Sequence, residues 1–261
     1  MKITIITVTY NSAATIADTL RSVDAQRHQD IEHIIVDGAS TDRTLEIVAQ
    51  FPQPWRRVYS APDKGIYDAM NKGLGLATGD AVGFLNSDDV YADDTITQQI
   101  AEAFVADGSP EIDACYADLI YVDDLQSGRI VRYWKSRPYA PGICAKGWMP
   151  AHPTFYVRKR VFDQCGGFDL AFPRQADYEL CLRFLDIHGI VTKYVPRVWI
   201  RMRTGGVSNN SVRGVLKGNW EAYLACRKNG LAVTPLFIVG KILSRVPQFI
   251  FKSAGKIPPV A

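Results

Sequence analysis

The sequence predicts an α/β protein whose central sheet is mostly parallel and flanked by helices. Short apolar, β-branched runs alternate with stretches of helical periodicity. The first runs are rich in apolar and β-branched residues, the pattern of buried parallel strands. Each run also ends in polar residues, which marks the carboxyl edge where open α/β sheets bind ligands.

Residues 3–9 (ITIITVT) form the first expected strand. Asn11 and Ser12 then stand where a helix cap belongs, ahead of Ile16, Leu20 and Val23 on one helical face. Residues 31–36 are the second strand, and Ser40, Thr41 and Asp42 precede a helix carrying Leu45 and Val48. A weak third strand at 58–60, a helix over 67–77 and a strand at 81–85 complete a series of βαβ units. The pattern changes after about residue 110. Residues 114–122 and 130–134 read as a small antiparallel hairpin, and the Pro/Gly-rich segment 137–153 as a long loop. Helices are expected over 177–188 and 211–227, the second opening a helical C-terminal extension.

Composition narrows the function classes. With 47% hydrophobic and 22% charged residues, the chain is neither disordered, collagen-like nor a disulfide scaffold. Its five scattered cysteines include no C-x-x-C pair, so neither a structural zinc nor a disulfide framework is expected, and reduced cytosolic thiols are the simplest reading. A net charge of +3 does not call for a nucleic-acid partner. No signal segment is expected at the N-terminus, and no run reaches the roughly 20 apolar residues of a membrane span. The charge is lopsided. From Lys193 onward there are twelve Lys/Arg and one acid, Glu221, while the first 192 residues hold 18 Lys/Arg against 26 Asp/Glu.

The strand ends carry the candidate chemistry. Thr9, Tyr10 and Asn11 end the first, Asp37 to Ser40 the second, and Asn86, Ser87, Asp88 and Asp89 the fourth. Two adjacent acids beside a buried strand call for a counter-charge. Mg²⁺ or Mn²⁺, held by one or two carboxylates and substrate phosphates, suits them. The other reading is that Asp88 and Asp89 cap the next helix.

Five motifs occur in order: TVTYN at 7–11, VDGASTD at 36–42, DKGIYDAMNKG at 63–73, ATGD at 77–80 and FLNSDD at 84–89. Together they resemble family 2 glycosyltransferases with the GT-A (Rossmann-like) fold, especially bacterial enzymes of polysaccharide and glycolipid synthesis. The resemblance covers roughly residues 1–203. It implies a nucleotide-diphosphate-sugar donor, usually of uridine, a divalent metal and an inverting transfer to a saccharide or lipid-linked acceptor. It also implies a GT-A catalytic domain over 1–205, with a nucleotide-sugar half (1–110) and an acceptor half (111–205), followed by a basic helical extension (206–261).

Carried over residue by residue, the resemblance places Thr9, Tyr10 and Asp37 on the donor's base and ribose. Asp63, Lys64, Asn71 and Lys72 fall in the stretch flanking nucleotide and diphosphate, although Lys72 reads equally as a solvated surface residue. Asp88 and Asp89 match the family's Asp-x-Asp-type motif with Ser87 in place of the first acid; Asp89 is the expected metal ligand and Asp88 a contact to ribose or metal-bound water. GGFD at 166–169 and ADYEL at 176–180 resemble the second half of the pattern, where a Glu-Asp pair opens a helix and its Asp is the general base. That makes Asp177 the expected base, with Glu179 the other acid nearby. His152 in WMPAHPTF (148–155) resembles an acceptor-side histidine, and Trp148 reads as a sugar platform or as core.

Two other classes compete. A sugar nucleotidyltransferase would carry a Gly-rich basic loop after the first strand, where this chain has no glycine before Gly38. A catalytically inactive nucleotide-sugar-binding module would not need Asp37, Asp88, Asp89 and Asp177 together. Finally, residues 234–252 place Lys241, Arg245 and Lys252 within about 40° on a helical wheel beside a broad apolar surface. This pattern fits an interfacial helix on an anionic leaflet, and hence a cytoplasmic protein held at the inner face of the cell membrane. The other reading is a helix packed on the catalytic domain.

Overall fold

The computed structural model describes residues 1–105, 111–125, 128–204, 212–243 and 248. Its strands are β1 (Ile3–Thr9), β2 (Ile31–Asp37), β3 (Arg56–Ser60), β4 (Ala81–Phe84), β5 (Asp89–Tyr91), β6 (Ala114–Val122), β7 (Ile130–Trp134), β8 (Tyr156–Arg158) and β9 (Thr192–Arg203). Its helices are α1 (Ile16–Asp24), α2 (Thr44–Val48), α3 (Ile66–Leu76), α4 (Ile96–Ala103), α5 (Lys159–Cys165), α6 (Ala176–Leu182), α7 (Val212–Lys228) and α8 (Leu236–Leu243). The strands form one sheet in the order β3-β2-β1-β4-β8-β6-β9-β5, with β7 paired to β6.

The half from β3 to β4 is parallel, as the apolar runs predict. Every residue of β1 and β2 is buried because helices cover both faces. Ile6, Val8, Ile34 and Val36 pack with Met70 and Leu74 of α3. On the opposite face Ile35 packs with Ile16 and Leu20 of α1. The α3 contact is close: a methyl at Gly73 would stand 2.5 Å from Ile6 Cγ2.

Beyond β4 the sheet becomes mixed. β8 runs antiparallel to both β4 and β6, and β9 lies parallel to β6 and antiparallel to β5. The expected hairpin is β6–β7. Periodicity did not reveal β5 and β8, which have three residues each, nor β9, whose run contains Pro196 and Arg197 and is buried only from Trp199 to Arg201.

Two expected features differ in detail. Asn11 does not cap α1; it adopts φ 49°, and its side-chain oxygen accepts from Thr41 N at 2.8 Å, joining the loops after β1 and β2. Asp89 does not cap a helix either, since it opens β5, and Asp93 instead accepts from Thr95 N at 2.8 Å just ahead of α4.

The C-terminal helices pack on the sheet domain. Ala222, Ala225, Cys226 and Phe237 join the core that contains Phe84 and Tyr178. This placement corrects the proposed basic stripe: Lys241 is 1% exposed and points inward, where its ammonium meets the Gln175 side chain and the Tyr178 ring. Arg245 and Lys252 lie outside the described residues. The outward face of α8 is apolar instead, with Leu236, Val239, Ile242 and Leu243 exposed.

Glu32 of β2 is a buried tie across the parallel half. It accepts from Thr4 Oγ1 at 2.6 Å, from Thr78 N and Thr78 Oγ1 at 2.8 Å each, and pairs with Arg57. Burial pushes its pKa up, but the Thr4 and Thr78 hydrogen bonds and the Lys2 charge pull it below the usual glutamate value. A depressed folded pKa adds stability above the unfolded value of about 4.3, and that stability is lost as pH falls through the folded one. Glu32→Gln is therefore expected to cost about 1–3 kcal/mol at pH 7 and to flatten the acid limb of the stability–pH curve. Urea titrations from pH 7 to pH 3 with an unchanged acid limb would refute the assignment.

Candidate active site

The carboxyl edge of β1, β2 and β3 is level, since Thr9 stands beside Asp37 and Asp37 beside Ser60. Asp37 is fully buried, and its carboxylate accepts from Ser40 N at 3.0 Å, Ser40 Oγ at 2.5 Å and Ser60 Oγ at 2.6 Å. Gly38 follows, with the Asp63 carboxylate 2.5 Å from where a Cβ would lie and the Tyr10 ring 3.4 Å from it. Glycine here lets the Asp63 carboxylate and the Tyr10 ring lie close to the backbone that follows Asp37. Tyr10 is 63% exposed, a large aromatic face left open at the strand edge. Asn11 and Ala39, the non-glycine residues of positive φ among those described, both lie in these loops, where such strain is typical of ligand sites.

The loop after β4 joins the same edge through Ser12 and Ser87, whose hydroxyls lie 2.8 Å apart. Asp88 is half-buried and Asp89 fully buried. Burial and the neighbouring Asp88 charge push the Asp89 carboxyl well above its usual range, and burial also raises Asp88. Arg203 partly offsets both. It follows Met202, the register partner of Asp89, and pairs with Asp18. The buried oxygens Asp89 Oδ1, Asn86 Oδ1 and Thr9 Oγ1 have no hydrogen-bond partner among the described residues. Hard, unpartnered oxygens suit a divalent cation. The described residues contain no cluster of three His, Cys, Asp or Glu side chains, so the protein would supply only part of the coordination shell.

The second half of the site is built around Phe168. The Asn71 side chain brackets its backbone, donating to Phe168 O at 2.9 Å and accepting from Phe168 N at 2.8 Å. A methyl at Gly167 would stand 2.4 Å from Asn71 Oδ1, which explains why glycine precedes Phe168. The Phe168 ring stacks on Tyr67 at 5.3 Å and meets His152 edge-on at 5.5 Å, while His152 stacks on Phe84 at 5.6 Å. Tyr67 then donates its hydroxyl to Asp177 Oδ1 at 3.0 Å. Burial keeps the His152 pKa below its usual value, against the pull of the Asp177 charge, so the imidazole is neutral at pH 7.

The structure thus gathers Thr9, Tyr10, Asp37 and Asp63 at one edge, Asp88 and Asp89 beside them, and His152 next to Asp177. Asn71 and Lys72 are engaged within the protein. Asn71 holds Phe168, while Lys72 Nζ donates to Pro62 O at 2.8 Å and pairs with Asp68 at 3.1 Å. Lys64 is exposed beside them. Glu179 is not open to substrate, being 2% exposed and paired with Arg183 at 2.9 Å. Trp148 is partly buried and packs edge-on to Tyr116 at 6.0 Å, against the margin of the core. Sequence reasoning missed Tyr67 and Phe168 as partners of the acid, although both lie inside the quoted motifs. It also missed a cavity that Asp177 shares with Arg132, Trp134, Arg174, Gln175 and Asn219, formed by residues far apart in the chain.

With this geometry the chain was compared with known proteins. The model of "Glycosyl transferase family 2" matches residues 4–141. The chain belongs to this family. A PGL/p-HBAD biosynthesis glycosyltransferase of Mycobacterium bovis is 32% identical over 218 residues, covering 80% of this chain and 79% of that protein. Among solved structures, S. aureus TarS 1-349 in complex with UDP-GlcNAc superposes with a TM-score of 0.65 at 19% identity, over 97% of this chain and 74% of that one. The mannosyltransferase PcManGT of Pyrobaculum calidifontis, in complex with GDP-Man and Mn2+, gives 0.66 at 17% identity, over 99% and 77%. The fold is therefore that of GT-A glycosyltransferases, and the chain is a family 2 enzyme.

The raised Asp89 pKa has a measurable sign. The folded state keeps this proton to higher pH than the unfolded chain, so metal-free stability falls as pH rises from about 4 through the raised value. A cation binding the ionised pair should reverse that fall. Mn²⁺ is expected to raise the melting temperature by more as pH increases through the titration of this pair, and Asp89→Asn to raise the metal-free melting temperature on the alkaline side of that titration while abolishing the Mn²⁺ effect. An equal Mn²⁺ shift in the variant would remove Asp89 from the cation site.

Proposed function

We propose that the enzyme moves a sugar, with inversion, from a UDP-sugar to a hydroxyl of a saccharide or lipid-linked acceptor in glycolipid or polysaccharide synthesis. The observation that carries the reading is Asp177, a carboxylate bonded by Tyr67, flanked by a neutral His152 and facing a cavity. His152 lies on Phe84, the last residue of β4, and Asn86 to Asp89 follow it directly in the chain. Base and acid pair are thereby linked through one packed ring. The M. bovis relative named for PGL/p-HBAD biosynthesis supports a glycolipid acceptor, and the UDP-GlcNAc complex of TarS supports a uridine donor.

In the mechanism, Tyr10 covers the base, Asp37 accepts from its imide N–H after giving up a serine partner, and Thr9 and Asp63 line the nucleoside. Asp89 would hold Mn²⁺ or Mg²⁺ and Asp88 would contact ribose or the cation's water, and the positive charge held there would offset the charge that develops on the diphosphate. Lys64 adds positive charge at the exposed rim. Asp177 takes the proton of the acceptor hydroxyl as that oxygen bonds to the anomeric carbon. The bond from that carbon to phosphate oxygen breaks, and its electron pair leaves with the nucleoside diphosphate. Tyr67 orients Asp177, and His152 borders the acceptor. On this reading residues 1–110 serve the donor and 111–205 the acceptor, with α7 and α8 packed beside the acceptor half.

At the membrane, the exposed Leu236, Val239, Ile242 and Leu243 of α8 support peripheral attachment to the inner leaflet. Among the described residues no helix is long and apolar enough to cross a membrane.

The test is a donor panel of UDP-glucose, UDP-galactose, UDP-GlcNAc and GDP-mannose with Mn²⁺ and octyl glycoside acceptors, read as nucleoside diphosphate released. Acceptor-dependent UDP release is expected, and Asp177→Asn should lower it by about 10²–10⁴-fold while the donor-induced thermal shift persists. Near-normal turnover of the variant would refute Asp177 as base, and pyrophosphate release would point to a nucleotidyltransferase.

A further inference from the structure

The cavity at Asp177 is walled on one side by α7, through Gly218 and Asn219, and on the other by β7, through Arg132 and Trp134. Gln175 lies between them, two residues before the acid. Its side chain is fixed from two directions. Nε2 donates to Arg174 O at 3.0 Å, and Oε1 accepts from Lys241 Nζ at 2.8 Å. Gly218 of α7 closes over this amide, with a methyl there reaching 3.4 Å from Gln175 Nε2.

Lys241 comes from α8, and its position is specified closely. Its ammonium sits 3.8 Å from the centroid of the Tyr178 ring, and its Cβ lies 2.7 Å from where a Cβ on Gly147 would stand. Gly147 has φ 86°, so glycine is required there twice over, for its backbone and for the lysine stem. Tyr178 is pinned in turn, its hydroxyl donating to Cys144 O. Burying an ammonium to 1% exposure is costly, and a methionine would fill the same space more cheaply if packing were its only purpose. The C-terminal chain reaches the cavity a second time, where Arg132 Nε donates to Gln248 Oε1 at 2.8 Å.

We infer that Lys241 is a positioning residue for the acceptor: from the C-terminal extension it holds the Gln175 amide in the wall of the Asp177 cavity, where that amide orients the incoming hydroxyl-bearing substrate. The inference rests on the transferase reading of Asp177. It gives the extension a part in acceptor recognition besides any contact with lipid. The donor side, around Tyr10, Asp37 and Asp89, is untouched by it.

The experiment compares two reactions of the full chain with the best donor of the panel and Mn²⁺: transfer to octyl β-glucoside, and hydrolysis of the donor by water. Lys241→Met and Gln175→Ala are each expected to raise the KM for octyl β-glucoside about tenfold, with donor hydrolysis and the donor-induced thermal shift within twofold of the unaltered enzyme. The double variant should be no worse than Gln175→Ala alone, since Lys241 acts through Gln175. An unchanged acceptor KM in Gln175→Ala overturns the inference even if Lys241→Met does not fold. So do equal losses of transfer and hydrolysis, or additive losses in the double variant. Absence of nucleotide release by the unaltered enzyme with every donor would instead remove the transferase reading beneath it.

Discussion

Two carboxylates stand side by side where a buried strand has just ended, and one oxygen of Asp89 has no hydrogen-bond partner among the described residues. Much of the sheet edge can be understood as management of that cost. Asp89 begins β5 against Met202, so its backbone is tied into the sheet while its carboxylate is held in place. Arg203 brings a positive charge to the pair and is itself anchored on Asp18 of α1. Such an arrangement is unfavourable for the ligand-free protein and favourable for one that binds a cation and a diphosphate. Strain of this kind is expected where binding, rather than stability, shapes the local structure.

The two halves of the site are coupled through packing rather than through the chain. Asn71 on α3 holds the Phe168 backbone, and Phe168 in turn packs against His152 and against Tyr67, which donates to Asp177. Gly167 lets the chain pass close to the Asn71 side chain. On the proposed mechanism, this packing holds the base relative to the donor edge, because His152 also rests on Phe84 at the end of β4. An offset of about 1 Å between base and acceptor is costly in such chemistry, so a hub of aromatic rings is a suitable support.

The parallel half of the fold was legible because β1, β2 and β4 are short runs rich in apolar and β-branched residues, with helical periodicity between them. β5 and β8 were not, since three residues carry no period, and Pro196 and Arg197 disguised β9. In the candidate site, Asp37, Asp88, Asp89 and Asp177 could be named from motif order. What they touch could not: Asn71 and Lys72 proved to be engaged within the protein, and the partners of Asp177 come from α3 and the 152–154 turn. The tail shows the same limit. A helical wheel places Lys241 on a basic stripe, yet tertiary packing turned that residue inward to Gln175 and Tyr178. A one-dimensional pattern records which residues share a helix face, not which face meets the core.

On the proposed mechanism, transfer is a single displacement at the anomeric carbon, with Asp177 as base and no covalent sugar–enzyme intermediate. Proton NMR of the first product formed from an α-linked UDP-sugar tests it most directly. The coupling constant at the new anomeric centre should report the β configuration from the earliest spectra. A product that retains the α configuration would contradict the account, because it would require a nucleophile or a front-face path that this arrangement of residues does not provide.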